Sequence, residues 1–453
     1  MKSNRWLALF VPIVLIVTAC ASTPAATTGG GTPAAGTPAA GTPAAGTPAT
    51  SNVTLTIAAV QGVEDAGLKA LAPMYTAKTG VKINITESPY PDLYTKLVNA
   101  FGSNDATYDL FMMDDPWMPK FGTMGALSDL GALGITKDPD VAQIVWDVGT
   151  WPPPHGPVPP SEKSKPPQLL GVTIVGNVEM FMFRKDITPT GPASYDEVLA
   201  NATAQNKANF AGYLIRGKAT NPVVADFLPI LWSFGGDVFD DSWNVVFDKP
   251  ESLTAVQFLV DKLKAVAQAD PANTDASDRD RLMAIGQGYQ SSTWPGEINT
   301  AVLGAGTTVA GKVGFIPIPK GPSGKGVGMM GNWMLGIPKA SKNQQAAADF
   351  IKWMLQADTQ KTYAQNNGIP SRTSILKDSS LQAANPYFSV LADAFAAPPN
   401  WRPRTDQWNA VETIIGTELN AALAGTQTAQ DAVTKASAQI RTLMKGAGYP
   451  TTQ

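Results

Sequence analysis

From Val53 to Met113 the hydrophobic period switches back and forth, and that alternation leaves the chain few folds to choose from. Val53–Val60 reads as a short strand, and Glu64–Lys78 carries Leu68, Leu71 and Met74 or Tyr75 at helical spacing. Lys82–Glu87 alternates as a strand, Tyr90–Phe101 returns to the helical period, and Tyr108–Met113 is a continuous apolar run. The order β-α-β-α-β predicts an α/β fold with a mainly parallel sheet covered by helices. A second α/β region is expected near Leu170–Phe183, and helices over Leu253–Gln268, Asn343–Ala357, Trp408–Ala424 and Ala429–Lys445. Ser341 suits the N-cap of the helix over Asn343–Ala357, and Gly446 and Gly448 close the last. The C-terminal helices are amphipathic and are expected to cover a sheet rather than stand alone.

At 453 residues the chain is long enough for two or three domains at ~100–200 residues each. With 44% hydrophobic and 16% charged residues it can build a real core, which excludes a coiled coil and a disordered chain. Lys and Arg number 34 against 37 Asp and Glu, so no basic field is available to hold nucleic acid. Cys20 and His155 are the only residues of their kinds. That excludes a Cys/His zinc cluster, a C-x-x-C redox pair, a disulfide framework and an iron–sulfur site, and neither a metal nor a cofactor is expected.

Residues 1–19 read as a signal peptide, with Lys2 and Arg5 ahead of the apolar run Trp6–Val17, which is too short to span a bilayer comfortably. The run ends in Val17-Thr18-Ala19-Cys20, which resembles the lipobox of bacterial lipoproteins. That resemblance implies cleavage before Cys20 and its acylation. From Cys20 to residue 51 the unit Gly-Thr-Pro-Ala-Ala recurs from Gly31, Gly36 and Gly41. It offers little to bury and is expected to act as a flexible linker. The mature chain would carry 32 basic and 37 acidic residues, a net −5, with lipid as its membrane anchor.

In the body, Trp151-Pro-Pro-Pro-His155-Gly-Pro-Val-Pro-Pro160 can be neither helix nor central strand, and His155 reads as a solvated loop residue. Gly326-Val-Gly-Met-Met-Gly331 matches G-x-G-x-x-G, but it precedes the strand-like Asn332–Ile337 rather than a helix, so the match carries no nucleotide site. Asp114 and Asp115 end an apolar run, where ligands bind at the carboxyl edge of parallel strands, although a turn and N-cap role is an equal reading. Trp232, Trp294, Trp333 and Trp401 each stand among small or turn-forming residues, and flat indoles beside hydrogen-bonding groups suit the C–H faces of sugar rings. Arg402 and Arg404 could fork onto acidic groups or hydroxyls, or form an interdomain ion pair. Glu179 is a cleft candidate, or a hinge-strand residue.

From Tyr108-Asp-Leu-Phe-Met-Met-Asp-Asp115 onward, the chain resembles the maltose-binding-protein-like solute-binding proteins of carbohydrate ABC importers. Gly125-Ala-Leu-Ser-Asp-Leu130, Leu170–Asn177 with Arg184-Lys-Asp186, Trp232–Asp237, Val246–Glu251, Val313–Pro319, Gly331-Asn-Trp333 and Trp401-Arg-Pro403 follow in the family's order. The resemblance implies a two-lobe type II periplasmic-binding-protein fold with a hinge, each lobe a mainly parallel sheet flanked by helices. It would place residues 52–176 with 330–385 in one lobe and 177–329 with 386–453 in the other. The contacts it implies are Gln61, Glu64, Asp114, Asp115, Trp232, Trp294 and Trp333, with Arg402 and Trp408 as weaker members; Glu179 and Trp401 complete the candidate set.

The resulting expectation is a non-catalytic, monomeric receptor, tethered through Cys20 to the outer face of the cytoplasmic membrane, that hands a carbohydrate or polyol to the permease subunits of an importer. The competing readings are an exported glycoside hydrolase using Asp114 or Asp115 with Glu179 or Glu297, and a surface scaffold with no small ligand.

Overall fold

The structure is a computed structural model that describes residues 52–397 and 400–451. Cys20, the leader and the repeat linker lie outside the described residues. The alternating segment folds as its periodicity dictates. β1 (Thr54–Val60) lies beside β2 (Lys82–Ser88) and β3 (Leu110–Asp114), parallel to both, with Ile57 opposite Ile85 on one side and Leu110 on the other. Helices Ala66–Thr79 and Tyr90–Gly102 make the crossovers. The first stops at Gly80, whose φ of 78° lets its N–H reach back to the Thr76 carbonyl.

Two further strands complete this five-stranded sheet in the order β2-β1-β3-β10-β6, where β6 is Val172–Val175 and β10 is Trp333–Gly336. β10 runs antiparallel to both neighbours because it enters after the chain has left the sheet and come back. A short pair, β4 (Thr150–Trp151) and β5 (Gln168–Leu169), closes the base of the proline-rich loop. The second sheet has the order β8-β7-β9, from Gln290–Thr293, Met180–Arg184 and Val313–Ile316. Both of its pairings are antiparallel, which departs from the mainly parallel sheet expected in each lobe. Its strands come from distant parts of the chain and not from successive β-α-β units, so no crossover helix imposes a parallel direction.

Two apolar clusters form the core; the first is centred on the five-stranded sheet and also takes in Met180, Met182 and Val313 of the other sheet. Leu55, Ile57, Phe111, Met113, Ile174 and Met334 pack with Phe350 and Ile351 in the first. In the second, Phe181 meets a layer of helices, with Phe227, Leu231, Val256, Leu263, Ile415 and Ile440. The C-terminal helices Trp408–Leu423 and Ala429–Gly446 pack on each other and on helices Asn221–Ser233 and Pro250–Gln257, so they cover helices where a sheet was expected. Their apolar stripes find partners there and leave no separate domain. The last of them opens with a capping box between Thr428 and Asp431.

The chain passes between the sheets at residues 176–179, at 329–332 and again through 400–407. These passages touch: the Glu179 amide donates to the Met329 carbonyl at 2.8 Å, Gly331 N–H to Asn177 at 3.0 Å, and Met330 N–H to Asn400 at 2.8 Å. No helix among the described residues is long and apolar enough to cross a membrane.

Candidate functional site

A cavity of about 630 Å³ opens where the sheets face each other. From the first side come Gln61 and Glu64 after β1, Tyr90 at the start of a helix, Asp114 at the end of β3 and Trp333 at the start of β10. β1 and β3 are parallel, so their carboxyl ends open at one edge; Trp333 pairs with Asp114 across the antiparallel boundary, which brings it to the same edge. From the second side come Arg216, Asn221, Asp275, Asp280, Arg281, Trp294 and Glu297, and Asn177, Gly331 and Arg402 belong to the crossing segments.

Several helices begin at this cavity. Asn221 opens helix Asn221–Ser233, and Asp275 with Ala276 opens Ala276–Ala284. The partial positive charge at such N-termini favours the carboxylates gathered around them.

Asp114 is the most fully engaged of these carboxylates. Arg402 donates from Nη2 to Oδ1 at 2.8 Å and from Nη1 to Oδ2 at 3.0 Å, the Tyr90 hydroxyl donates to Oδ2 at 2.9 Å, and the Asp115 amide to Oδ1 at 2.9 Å. Asp114 thus serves as an anchor that fixes Tyr90 and Arg402 at the cavity wall. Trp117 donates from its indole to the Tyr90 oxygen at 3.2 Å, and edge contacts from Tyr90 and Trp117, at 5.9 and 5.5 Å between centroids, hold Trp333 upright.

On the facing side, the Trp294 indole lies against the backbone of Gly331, where a Cβ would come within 2.3 Å of the ring. Glycine is the residue that permits this approach. Below it, Arg279 is fully buried and joins Asp226 at 2.6 Å, Asp280 at 3.3 Å and Glu297. Glu297 also accepts the Trp294 amide at 3.1 Å, so the buried cation fixes the turn that carries the indole. Arg216 completes this network with Asp226 at 3.6 Å and Asp275 at 3.4 Å.

Glu64 is partly exposed to the cavity and takes one donor, Asn177 Nδ2, at 3.0 Å to each oxygen. Desolvation by the surrounding walls pushes its carboxyl up to about 8; the Asn177 hydrogen bond opposes this, and the nearby Glu297 and Asp114 add to it. Burial likewise pushes Asp280 up to about 8, with Glu297 adding to it and Arg279 opposing.

Of the residues singled out in the sequence, Gln61, Glu64, Asp114, Trp294, Trp333 and Arg402 meet at this cavity. Asp115, Glu179, Trp232, Trp401 and Trp408 do not line it. Asp115 is fully buried, 3.2 Å from Arg402; the strand ends at Asp114, which caps the short 3-10 helix that Asp115 opens and so takes Asp115 off the strand's edge. Burial pushes it up to about 6, with Arg402 opposing. Glu179 is 2% exposed, behind the wall, and neither of its oxygens receives a hydrogen bond. Desolvation holds its carboxyl well above the ordinary value, and Asp226 adds to the effect. Trp232 sits on the apolar side of its helix and donates to Asp237 at 3.3 Å, and Trp408 packs in the second core. Trp401 stacks on His155 at 4.3 Å between ring centroids and has the Arg404 guanidinium 5.3 Å from its own ring centre, and it does not line the cavity.

Tyr90, Asn177, Arg216, Asn221, Asp275, Asp280 and Arg281 were not foreseen. Tyr90, Asn221 and Asp275 carried a usable signal, since each stands at the start of a helix, Asp275 as the N-cap of a capping box with Asp278. Arg216 lies in irregular backbone without one. Among the described residues no group of three or more His, Cys, Asp or Glu is placed to hold a metal ion.

Comparison with known proteins puts this geometry in context. The family described as bacterial extracellular solute-binding protein matches residues 59–361. The probable amino-acid ABC transporter periplasmic-binding protein y4oP of Sinorhizobium fredii is 25% identical over 397 residues, which cover 85% of this chain and 88% of the relative. Maltose-bound MalE3 of T. maritima superposes with a TM-score of 0.75 at 26% identity, over 86% of this chain and all (100%) of that one. An ABC transporter solute-binding protein from Agrobacterium radiobacter K84, in complex with ribitol, reaches 0.78 at 22% identity, over 88% of this chain and 100% of its own.

Proposed function

This chain belongs to the bacterial extracellular solute-binding proteins, and from that premise we propose that it captures a carbohydrate or polyol by closure of its two lobes and delivers it to the permease of an ABC importer. The observation that carries the reading is the composition of the cavity wall. Two indoles, Trp294 and Trp333, stand among amide, carboxylate and guanidinium groups supplied from both sides. A sugar or polyol presents this same mixture, with apolar C–H faces for the indoles and hydroxyls for the polar groups. We assign direct contacts to Gln61, Glu64, Trp294 and Trp333, with Asp114 and Arg402 as the paired anchor in the wall behind them, and take the lobes as residues 52–176 with 330–385 and 177–329 with 386–453.

Closure follows from where these groups sit. A solute resting on one wall gains the other wall's contacts only when the lobes approach, and it drives the approach by that difference in affinity alone. The reading is a receptor and not a hydrolase. Asp114 has its lone pairs committed to Arg402, Tyr90 and the Asp115 amide, and Glu297 is held by Arg279, so neither is free as a general acid or nucleophile. We further place the protein outside the cytoplasmic membrane as a monomer, tethered by an acyl chain on Cys20 through the repeat linker.

A thermal-shift screen of the purified protein against neutral sugars, polyols, amino sugars, uronates and sugar phosphates tests the reading. A ligand at 100 times its dissociation constant adds ~2.7 kcal/mol to the folded state. The expected result is stabilisation by one chemical group of ligands, with no turnover of that ligand on standing. Turnover would replace the receptor with an enzyme, and a flat panel would remove the receptor reading.

A further inference from the structure

The carboxylates on the cavity wall are not equivalent. Asp114 is paired with Arg402, Asp275 with Arg216 at 3.4 Å and Lys218 at 3.1 Å, and Asp280 and Glu297 with Arg279. Glu64 differs from all of them. Among the described residues it has no cationic partner, and its hydrogen bonds come from one neutral amide, Asn177. The charges that act on it most strongly are Glu297, Asp114 and Asp65, all of its own sign. Arg281 also lines the cavity but is not among them.

A carboxylate so placed is short of one positive charge, and the open side of the cavity is where a charge can arrive. Like-charge repulsion disfavours a carboxylate or phosphate at this spot, and a neutral hydroxyl can hydrogen-bond to Glu64 without relieving the repulsion. A protonated amine does both. The aromatic wall adds to the preference, since indole and phenol faces attract a cation within about 6 Å, and Trp294, Trp333 and Tyr90 all reach the same cavity.

We propose that the solute carries a protonated nitrogen that pairs with Glu64, so that the ligand is an amino sugar or an aminated polyol. The proposal rests on the receptor reading above and narrows its ligand class. A consequence separates it from a simple preference. The free cleft meets the repulsion around Glu64 by keeping a proton there, its carboxyl being pushed up to about 8. An arriving ammonium takes over that role, and the proton leaves to solvent.

The test uses sets of probes that differ only at nitrogen: glucose, glucosamine and N-acetylglucosamine, then sorbitol and glucamine. Titration calorimetry near neutral pH, in two buffers of different ionisation enthalpy, reads affinity and proton count together. The amine of each set is expected to bind about ten- to a hundredfold tighter than its neutral members, as for a hydrogen bond to a charged group, with net proton release. Glu64→Gln keeps the size of the side chain and an acceptor for Asn177. It should abolish both the preference and the release, so that the amine of each set binds no tighter than its neutral members. Equal or tighter binding of the neutral members overturns the proposal and leaves the receptor intact, and so does a Glu64→Gln variant that weakens every member alike. Binding of none of these, together with a flat wider screen, overturns the receptor reading itself.

Discussion

Arg402 grips Asp114 with both terminal nitrogens, at 2.8 and 3.0 Å, and leans on Asp115 at 3.2 Å from the same guanidinium. One buried cation thus serves two adjacent buried carboxylates. Removing it strands both, and breaking a buried pair from one side typically costs about 3–5 kcal/mol. Arg402→Met should therefore lower the denaturant midpoint by a corresponding amount. Replacing Asp114 and Arg402 together, with Asn and Met, should cost less than Arg402→Met alone, because fewer unpaired charges remain. Equal stability of wild type and Arg402→Met in urea melts would contradict the pairing.

The contact between Trp294 and Gly331 gives a second prediction. Gly331→Ala puts a methyl group where the ring now lies, and the indole must shift out of its place at the cavity. Overpacking of this kind costs about 1–3 kcal/mol. We expect weakened ligand binding in calorimetry even though residue 331 offers a ligand only backbone. Trp294→Ala should weaken binding further, by about 2–4 kcal/mol if the indole stacks centrally on the solute.

Stability should fall as pH rises through neutrality. Glu64 and Asp280 are pushed up to about 8 and Glu412 to about 7, each chiefly by desolvation. Their folded pKa values lie above the unfolded ones, so between roughly pH 4 and 8 the folded state binds more protons than the unfolded state. Their stabilising contribution is complete below the unfolded values and is lost as pH climbs through the folded ones. Denaturant melts of the ligand-free protein at about pH 5, 7 and 8.5 should show this decline, and Glu64→Gln should flatten it by on the order of a few kcal/mol. A melt that strengthens steadily from about pH 5 to 8.5 in both proteins would count against these assignments.

Cys20→Ser should move the protein from the membrane fraction to the soluble fraction of cells while leaving ligand binding by the purified chain unchanged. Retention in the membrane fraction would point to an anchor other than an acyl chain.

The periodicity from Val53 to Met113 was enough to place β1, β2, β3 and their two helices, because each segment is bounded by its own turn and carries its own apolar pattern. It could not show that Trp333 would enter antiparallel beside Asp114, a pairing of residues more than two hundred positions apart. The site divides in the same way. Asp114 and Glu64 were legible because they end or follow a strand of the first sheet. The sequence did not tell the tryptophans apart, yet Trp232 and Trp408 pack in the second core away from the cavity, whereas Trp294, packed in the same core, also reaches the cavity wall. What separates them is the helix layer that covers the first two and the glycine that makes room for the third, and both lie far off in the chain.

The passages at 176–179, 329–331 and 400 run side by side with backbone hydrogen bonds between them. Sliding one past another, or swivelling one lobe about a single passage, would break those bonds, whereas bending all of them together across their width would not. A joint of this kind behaves as a door hinge does and not as a ball-and-socket. On the receptor reading proposed above, the opening between the two walls of the cavity would be the soft coordinate of the molecule, and occupancy of the cleft would be written outward as one angle.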